Sequence, residues 1–336
     1  MVQIYHDEDA DPAAIEGLRV AVVGFGNQGR AQALNLRDSG LEVLIGNRRD
    51  EAAEQAAQEG FEVLPIPEAC ERAGAVMMLI PDEVMPAVYK GQVASSLAPA
   101  DLLVFASGYN VAFDLIRPDP RLDVVLVAPR MLGVGVRENY EKGKGFPSFV
   151  GVHQDATGRA RARMLALCRA LGSTRAGCIE MSMHDEAALD LFTEQAFGPA
   201  FGRVMMSAVE LLVEAGYPPE AALVEVYLSG EFAYSLEKIR EVGMSRQMDF
   251  HSRTSQYGSV TRGARFLPFD SPLKETMGKI LDEIRSGSFA REWSEQQEHA
   301  AALFEVARGA RDSLPITRWE ERARRAFRIG DAGGES

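Results

Sequence analysis

The stretch from Leu18 to Ala31, LRVAVVGFGNQGRA, decides the fold of this chain. An apolar, β-branched run predicts a strand that ends in Gly24-Phe25-Gly26-Asn27-Gln28-Gly29, and a helical pattern follows at once. This order is typical of dinucleotide-binding domains. Its three glycines permit a tight turn, a close backbone approach to a pyrophosphate, and close packing of helix on strand. The helix N-terminus offers N–H groups to the phosphates, whereas the alternative is a glycine turn that binds nothing.

The composition is that of a soluble globular protein with 336 residues, 46% hydrophobic and 25% charged. The formal net charge of −13 argues against a nucleic-acid partner and against anionic membrane surfaces. Three cysteines without metal-ligand spacing favour a reducing, cytoplasmic setting. The acidic N-terminus lacks the apolar core of a signal peptide. The sequence has no run of about 18 apolar residues, so no transmembrane helix is expected.

Two domains are predicted from a change of pattern near Ser182. Strands alternate with helices in residues 1–182, which predicts an α/β, Rossmann-type domain with a parallel sheet. Because this domain carries the glycine turn, it is the expected NADPH-binding domain. Residues 183–330 are almost wholly helical, with one helix predicted over Pro219–Val242, and are expected to form an all-α substrate and dimerisation domain. Helices such as Ala200–Val213 are apolar on more than one face, which predicts a homodimer. Residues 331–336 read as a flexible tail.

The turn after the second strand indicates which nicotinamide cofactor is preferred. NAD sites usually place an acidic residue there, but this chain has Gly46-Asn47 followed by Arg48 and Arg49. Two guanidinium groups beside the ribose would pair with a 2′-phosphate, which favours NADPH over NADH. Asp50 and Glu51 complicate this interpretation, and the alternative is a solvated charged turn.

Asp190 and Glu194 place two carboxylates four residues apart, and therefore on one face of a predicted helix. Their neighbours are apolar, and such a pair is tolerated best when a cation bridges it. Oxygen ligands of this kind suit Mg²⁺, which makes Mg²⁺ a second candidate cofactor. The alternative is a simply solvated acidic pair.

The chain resembles a short-form ketol-acid reductoisomerase, also called acetohydroxyacid isomeroreductase. The resemblance covers residues 5 to about 293 in the family's order. The matching stretches are Tyr5 to Asp11, VAVVGFGNQGRAQALNLRDSG, IPDE, FASGYN, VAPR, VHQDATG, DLFTEQ, LVEAGY and GSFARE. DLFTEQ and LVEAGY are specific to the family, whereas the glycine turn is not.

The resemblance implies a Rossmann domain, a helical dimer-forming domain, NADPH and two Mg²⁺ ions. The family moves an alkyl group within a 2-hydroxy-3-oxo acid and then reduces the ketone so formed with hydride. By motif, Asp190 and Glu194 match the first pair of metal-binding acids, and Ser252 matches a serine that contacts substrate. The implied cofactor residues are Gly24, Phe25, Gly26, Asn27, Gln28, Gly29, Arg48, Arg49, Pro81, Asp82, Ser107 and Gly133.

Several departures from the family's pattern fall on positions that matter to migration. The family's histidine is Ser107 here, its lysine is Arg130, and the proline and histidine just beyond are Leu132 and Val134. Arginine keeps the positive charge but is a poor proton donor.

The second acidic pair of the family also differs in this chain. Glu225 matches its first member, but the residue four positions on is Ser229, and the next acid is Glu231 after Gly230. Six residues of α-helix would leave those two carboxylates about 240° apart, unless a bulge at Gly230 repairs the spacing.

These departures favour a reductase on the reductoisomerase scaffold, with hydride passing from NADPH to a C=O or C=N group without migration. Ser107 would orient the substrate, while Asp190 and Glu194 would hold a metal, a water or a cationic substrate group. One alternative is a complete reductoisomerase with a bulged second pair, and another is a non-catalytic NADPH-binding protein. The candidate catalytic residues are Asp190, Glu194, Ser107, Arg130, Glu225, Glu231 and Ser252.

Overall fold

The computed structural model of the chain describes residues 2–98 and 101–330. Its residues cluster into two compact units, Met1–Asp190 and Leu191–Ser336. The units therefore divide within the helical stretch Met183–Glu214, later in the chain than the change of pattern at Ser182. The predicted flexible tail, residues 331–336, lies outside the described residues.

The first unit is built on one nine-stranded sheet. Its strands are β1 (Ile4–Tyr5), β2 (Arg19–Val23), β3 (Glu42–Gly46), β4 (Glu62–Leu64), β5 (Ala75–Met78), β6 (Leu102–Phe105), β7 (Asp123–Pro129), β8 (Ser148–Gln154) and β9 (Cys178–Glu180). Their order in the sheet is β1-β9-β8-β7-β6-β5-β2-β3-β4. The chain order reverses between β2 and β5, and ligands of such sheets bind beyond the carboxyl ends of the strands at this point.

The sheet is mixed, whereas the alternation of strands and helices predicts a parallel one. Strands β2 to β7 pair in parallel, but β7 pairs with β8 antiparallel, and β1 pairs with β9 antiparallel. Alternation of apolar residues reveals which strands are buried but does not encode the direction in which a strand runs. The β1 strand adds the N-terminal arm to the sheet, where Tyr5 lies opposite Cys178.

Helices cover both faces of this sheet. They are α1 (Asn27–Asp38), α2 (Glu51–Gln58), α3 (Ile66–Glu71), α4 (Met85–Val88), α5 (Tyr109–Ala112), α6 (Gly133–Glu141), α7 (Ala160–Leu171) and the start of α8 (Met183–Phe192). Alternate residues of β2 enter opposite cores, with Val20 and Val22 on one face and Ala21 and Val23 on the other. Ser182 caps α8, because its Oγ accepts a bond from the Asp185 amide at 3.0 Å.

The second unit is helical. Its α-helices are α9 (Gly198–Glu214), α10 (Pro219–Leu223), α11 (Glu231–Val242), α12 (Arg253–Gly263), α13 (Asp270–Arg285), α14 (Ser288–Ser313) and α15 (Pro315–Phe327). Two π-helical segments, Thr193–Phe197 and Val224–Leu228, lie before α9 and after α10. The prediction of one helix over Pro219–Val242 is wrong, because Gly230 has a φ of +83° and interrupts it.

The second unit has a small core and much exposed apolar surface. Its buried cluster contains Val209, Ala222, Leu223, Ile316 and Ala323. The continuous helical stretch Met183–Glu214, which begins in the first unit, is strongly apolar and little buried. It is thus long and apolar enough to cross a membrane by length and composition alone. The core helix of a soluble protein meets the same criterion, so this helix by itself is weak support for a membrane.

Candidate active site

The glycine turn lies directly after β2, at the point where the sheet order reverses. Gly24 has a φ of +97°, and a Cβ atom there would lie 2.6 Å from the Leu79 carbonyl oxygen. A Cβ atom on Gly29 would lie 2.2 Å from the Gly24 carbonyl oxygen, so both positions require glycine. Gly26 precedes α1 and has no atom within 4 Å of its Cβ position. The N-terminus of α1 is therefore open to a phosphate group.

Phe25 and Gln28, two side chains of the glycine turn, differ in what they can offer a cofactor. Phe25 is buried, and its ring packs edge-on against Phe61 with centroids 5.5 Å apart, so its backbone alone can face a ligand. Gln28 donates from Nε2 to the Met131 carbonyl oxygen at 2.8 Å. A Cβ atom on Gly133 would lie 2.1 Å from the carbonyl oxygen of Asn27. The glycine turn and the start of α6 are thus in direct contact.

The turn after β3 carries Arg48 and Arg49 on its exposed side. Arg48 pairs with Asp50 at 2.8 Å, although its side chain is 86% exposed. Asp50 also caps α2 by accepting a bond from the Ala53 amide at 3.1 Å. The hydrogen bond from Arg48, together with that amide, lowers the pKa of Asp50. The charge of Arg48 is therefore shared between Asp50 and any ligand at this turn.

A hydrogen bond joins the segments that follow β5 and β6 at the same edge of the sheet. Pro81 is exposed and Asp82 is half-buried. The buried Asn110 side chain donates from Nδ2 to Oδ1 of Asp82 at 2.8 Å. Burial and the nearby charge of Asp82 raise the pKa of Tyr109 to about 12. Ser107 is half-buried, and its Oγ accepts a bond from the Tyr109 amide at 3.3 Å.

Arg130 follows β7 and reaches two carboxyl groups on α8. Its Nη1 donates to Oδ1 of Asp190 at 2.7 Å, and its Nη2 donates to Oε1 of Glu186 at 3.0 Å. The guanidinium group also lies 5.0 Å from the centroid of the Phe149 ring. Two candidates from the sequence, Arg130 and Asp190, therefore meet in one charged cluster.

Glu186 completes this cluster, and sequence reasoning missed it. Its carboxyl group is fully buried and accepts a 2.6 Å bond from the Gly108 amide at Oε2. Burial raises the pKa of Glu186 to about 7, against the opposing effects of the Gly108 amide and Arg130. A signal for this residue was available in the sequence, because Glu186 precedes Asp190 by four residues and so shares its helix face.

The remaining candidates belong to the second unit and are described there by themselves. Glu194 lies in the π-helical segment that follows α8 and is exposed. Glu225 lies in the second π-helical segment, and Glu231 is the first residue of α11 after the left-handed Gly230. Because the helix is interrupted, the rotation of about 240° expected for a straight helix does not apply. Ser252 caps α12 by accepting a bond from the Ser255 amide at 3.2 Å.

The residues of the first unit around Asp190 do not by themselves fit a pair of Mg²⁺ ions. Asp190 is the one predicted metal ligand within the first unit, and it is already paired with the guanidinium group of Arg130. Across residues 2–98 and 101–330, no group of three or more His, Cys, Asp or Glu side chains is arranged to hold a metal ion. A divalent ion beside Asp190 would also meet the positive charge of Arg130 at close range.

Comparison with protein-family models gives matches over almost the whole chain. Residues 14–177 match the NADPH-binding domain of acetohydroxy acid isomeroreductase. Residues 183–328 match the C-terminal domain of ketol-acid reductoisomerase. The two matches leave residues 178–182 between them, a segment that contains β9 and Ser182.

Individual relatives give the same result. A ketol-acid reductoisomerase (NADP(+)) of Methanopyrus kandleri is 43% identical over 335 residues, covering 98% of this chain and 100% of that protein. One from Caldivirga maquilingensis is 40% identical over 299 residues, covering 89% and 90% of the two chains. A solved NADH-preferring ketol-acid reductoisomerase from an uncultured archean superimposes with a TM-score of 0.90. It is 34% identical and covers 96% of this chain and 98% of its own.

Proposed function

We propose that this chain, which belongs to the ketol-acid reductoisomerase family, transfers hydride from NADPH to a C=O or C=N carbon without alkyl migration. It is an NAD(P)H-dependent oxidoreductase that acts on a small molecule. The substrate is an oxo-acid-like or imino-acid-like compound. Of the family's two chemical steps, migration and reduction, this chain retains reduction.

The contact of Arg130 with Asp190 and Glu186 carries the proposal. Alkyl migration needs metal ions to hold two neighbouring substrate oxygens and to favour loss of the hydroxyl proton. Here the guanidinium group of Arg130, 2.7 Å from Asp190, occupies the position beside the Asp190 carboxylate where a metal ion would bind. Arginine does not deprotonate in proteins, so it cannot exchange a proton with the substrate hydroxyl. Reduction needs only a hydride donor, orientation and a polarised double bond.

The first unit retains the features that a nicotinamide cofactor requires. NADPH supplies the hydride when bound. Gly24 and Gly29 permit the tight turn, and Gly26 leaves room for the pyrophosphate at the N-terminus of α1. Arg48 and Arg49 lie on the exposed turn after β3, where they would pair with a 2′-phosphate. This pairing supports NADPH, although the similar archaeal structure is of an NADH-preferring enzyme.

The roles of the other residues follow from their places at the carboxyl edge of the sheet. Ser107 orients the substrate double bond from the end of β6. Asp190, 40% exposed at its side chain, is the carboxylate of the cluster that a substrate can reach. Glu186 acts through Arg130 and the Gly108 amide, so it is a positioning residue. Asn27, Gln28, Pro81, Asp82 and Gly133 border the cofactor.

Two substrates separate reduction from migration. NADPH absorbance is followed with 2-acetolactate, which must migrate first, and with its migrated product, 3-hydroxy-3-methyl-2-oxobutanoate, each in Mg²⁺ and in EDTA. A cyclic imine is included as a C=N substrate. We expect no oxidation with 2-acetolactate, and EDTA-insensitive oxidation with the migrated ketone or the imine. Mg²⁺-dependent oxidation with 2-acetolactate would overturn the proposal.

A complete reductoisomerase is the second candidate, and the interruption at Gly230 favours it. Because Gly230 has a φ of +83°, the chain turns between Glu225 and Glu231 and no longer follows one helix. The rotation of a straight helix therefore no longer sets the angle between the side chains of Glu225 and Glu231. The same assay distinguishes this candidate, since it requires Mg²⁺ and consumes NADPH with 2-acetolactate.

We also propose that two copies of the chain associate through the second unit in the cytoplasm. Large apolar side chains on α9 and α14 are exposed, including Val204 at 68%, Leu211 at 66% and Val306 at 71%. Exposed apolar surface of this extent is typical of a protein interface. Sedimentation velocity should give the mass of two chains, and a mass of one chain at micromolar concentration would contradict the dimer.

A further inference from the structure

The charges at the carboxyl edge of the first unit are unbalanced. Arg130 is surrounded by the carboxyl groups of Glu186 and Asp190, and Asp82 lies near enough to act on Glu186 through its charge. Both Nη atoms of Arg130 are bonded to protein carboxylates, so its bidentate face is occupied. A substrate carboxylate would therefore not find a free pair of Nη atoms on Arg130, and it would be repelled by the excess of negative charge.

The same edge lacks a ready proton donor among the described residues of the first unit. Arg130 does not deprotonate, and the Tyr109 hydroxyl is buried from solvent. Glu186 is fully buried, and each of its oxygens accepts a bond from the protein, at the Gly108 amide and at Arg130. His184 lies two residues before Glu186, about 200° around the helix, and packs against Phe113 with ring centroids 6.0 Å apart.

The excess of negative charge and the lack of a proton donor affect the reduction of a C=O bond and of a C=N bond differently. Hydride addition to a ketone gives an alkoxide, which must then take a proton. A protonated imine already carries its proton and its positive charge. When hydride adds to the iminium carbon, the π electrons of the C=N bond become the nitrogen lone pair, and the products are a neutral amine and NADP⁺.

We infer that the substrate is a protonated imine, an iminium ion, rather than the anion of a 2-oxo acid. This inference rests on the proposed hydride transfer and narrows its substrate class. Asp190 is the accessible carboxylate of the cluster and faces the positive charge of the substrate. Arg130 holds Asp190 and Glu186 in place and leaves the site with a net negative charge.

The test compares 2-methyl-1-pyrroline with 3-hydroxy-3-methyl-2-oxobutanoate as substrates of the full chain with NADPH in EDTA. We expect kcat/KM to be greater for the imine by about tenfold or more, the effect of one charged contact. Asp190→Asn should lower this ratio by a similar factor, because it removes negative charge. Glu138→Gln, which removes an exposed carboxylate from α6, should leave the ratio unchanged.

The failure of the inference and of the proposed function can be told apart. A kcat/KM for the oxo acid equal to or above that for the imine overturns the inference and leaves NADPH-dependent reduction in place. A ratio that Asp190→Asn does not change also overturns the inference. Oxidation with neither compound, in protein whose melting temperature rises with NADPH, overturns the inference and the proposed function together.

Discussion

Glu186→Gln should remove a large part of the pH dependence of stability in the first unit. The Glu186 carboxyl has a pKa of about 7 in the folded chain, against 4.5 for an unperturbed glutamate. Because burial raises the folded pKa, this group stabilises the fold fully below about pH 4.5. That contribution is lost as the pH rises towards 7, where the buried carboxyl ionises.

The size of this effect follows from the two pKa values. Each unit of difference corresponds to about 1.4 kcal/mol, so the full loss is about 3.4 kcal/mol. Between pH 5 and pH 8 the wild-type chain should lose about 2.5 kcal/mol of its free energy of unfolding through this one group. Glutamine cannot ionise, and the Glu186→Gln chain should lack this loss.

Urea unfolding followed by far-UV circular dichroism at pH 5 and pH 8 measures the difference. Both tryptophans, Trp293 and Trp319, lie in the second unit, so their fluorescence would not report on the first. Glutamine also loses one acceptor for Arg130 or Gly108, which lowers stability at every pH and leaves the comparison across pH intact. Glu83→Gln, at an exposed position, is the control. Equal pH dependence in wild type and Glu186→Gln would refute the reasoning.

Three further substitutions test the cofactor and the charged cluster. Gly133→Ala places a Cβ atom 2.1 Å from the Asn27 carbonyl oxygen and should weaken NADPH binding in calorimetry. Gly135→Ala, whose close contact is with the flexible Met131 side chain rather than with backbone, should bind NADPH normally. Equal affinities of the two variants would contradict the contact between Gly133 and Asn27. Asp50→Asn keeps an oxygen to cap α2 but releases Arg48. The ratio of kcat/KM for NADPH to that for NADH should therefore rise about three- to tenfold, and an unchanged ratio would exclude Arg48 from the 2′-phosphate site. Arg130→Gln frees Asp190 and Glu186 and should strengthen Mn²⁺ binding in electron paramagnetic resonance by about tenfold, whereas binding as in wild type would show that Arg130 does not exclude the metal.

The architecture of the first unit could be predicted from the sequence because its strands are buried on both faces. Apolar, β-branched runs such as Val20–Val23 are typical of buried strands, and the spacing of Gly24, Gly26 and Gly29 indicates the turn. The antiparallel course of β8 could not be predicted, since apolar periodicity is the same for either strand direction. The predicted helix Pro219–Val242 runs through the π-helical segment Val224–Leu228 and the break at Gly230, which were missed because their side-chain patterns differ little from those of an α-helix.

The candidate site was predicted in its parts but not in its contacts. The sequence showed that Arg130 replaces a lysine and that Asp190 belongs to an acidic motif. It did not show that the two side chains meet, because they are 60 residues apart in the chain. Glu186 was passed over because a single glutamate on a helix is most often solvated. Its full burial is a property of the packing between α8 and the end of β6.

The most direct test of the central claim measures NADPH consumption with 2-acetolactate at saturating Mg²⁺, in protein that NADPH stabilises against heat. Because Arg130 occupies the position of a metal ion beside Asp190, we expect no NADPH consumption above the rate measured without substrate. The M. kandleri relative serves as the control that must be active under the same conditions. Mg²⁺-dependent consumption by this chain, abolished by EDTA, would contradict reduction without migration.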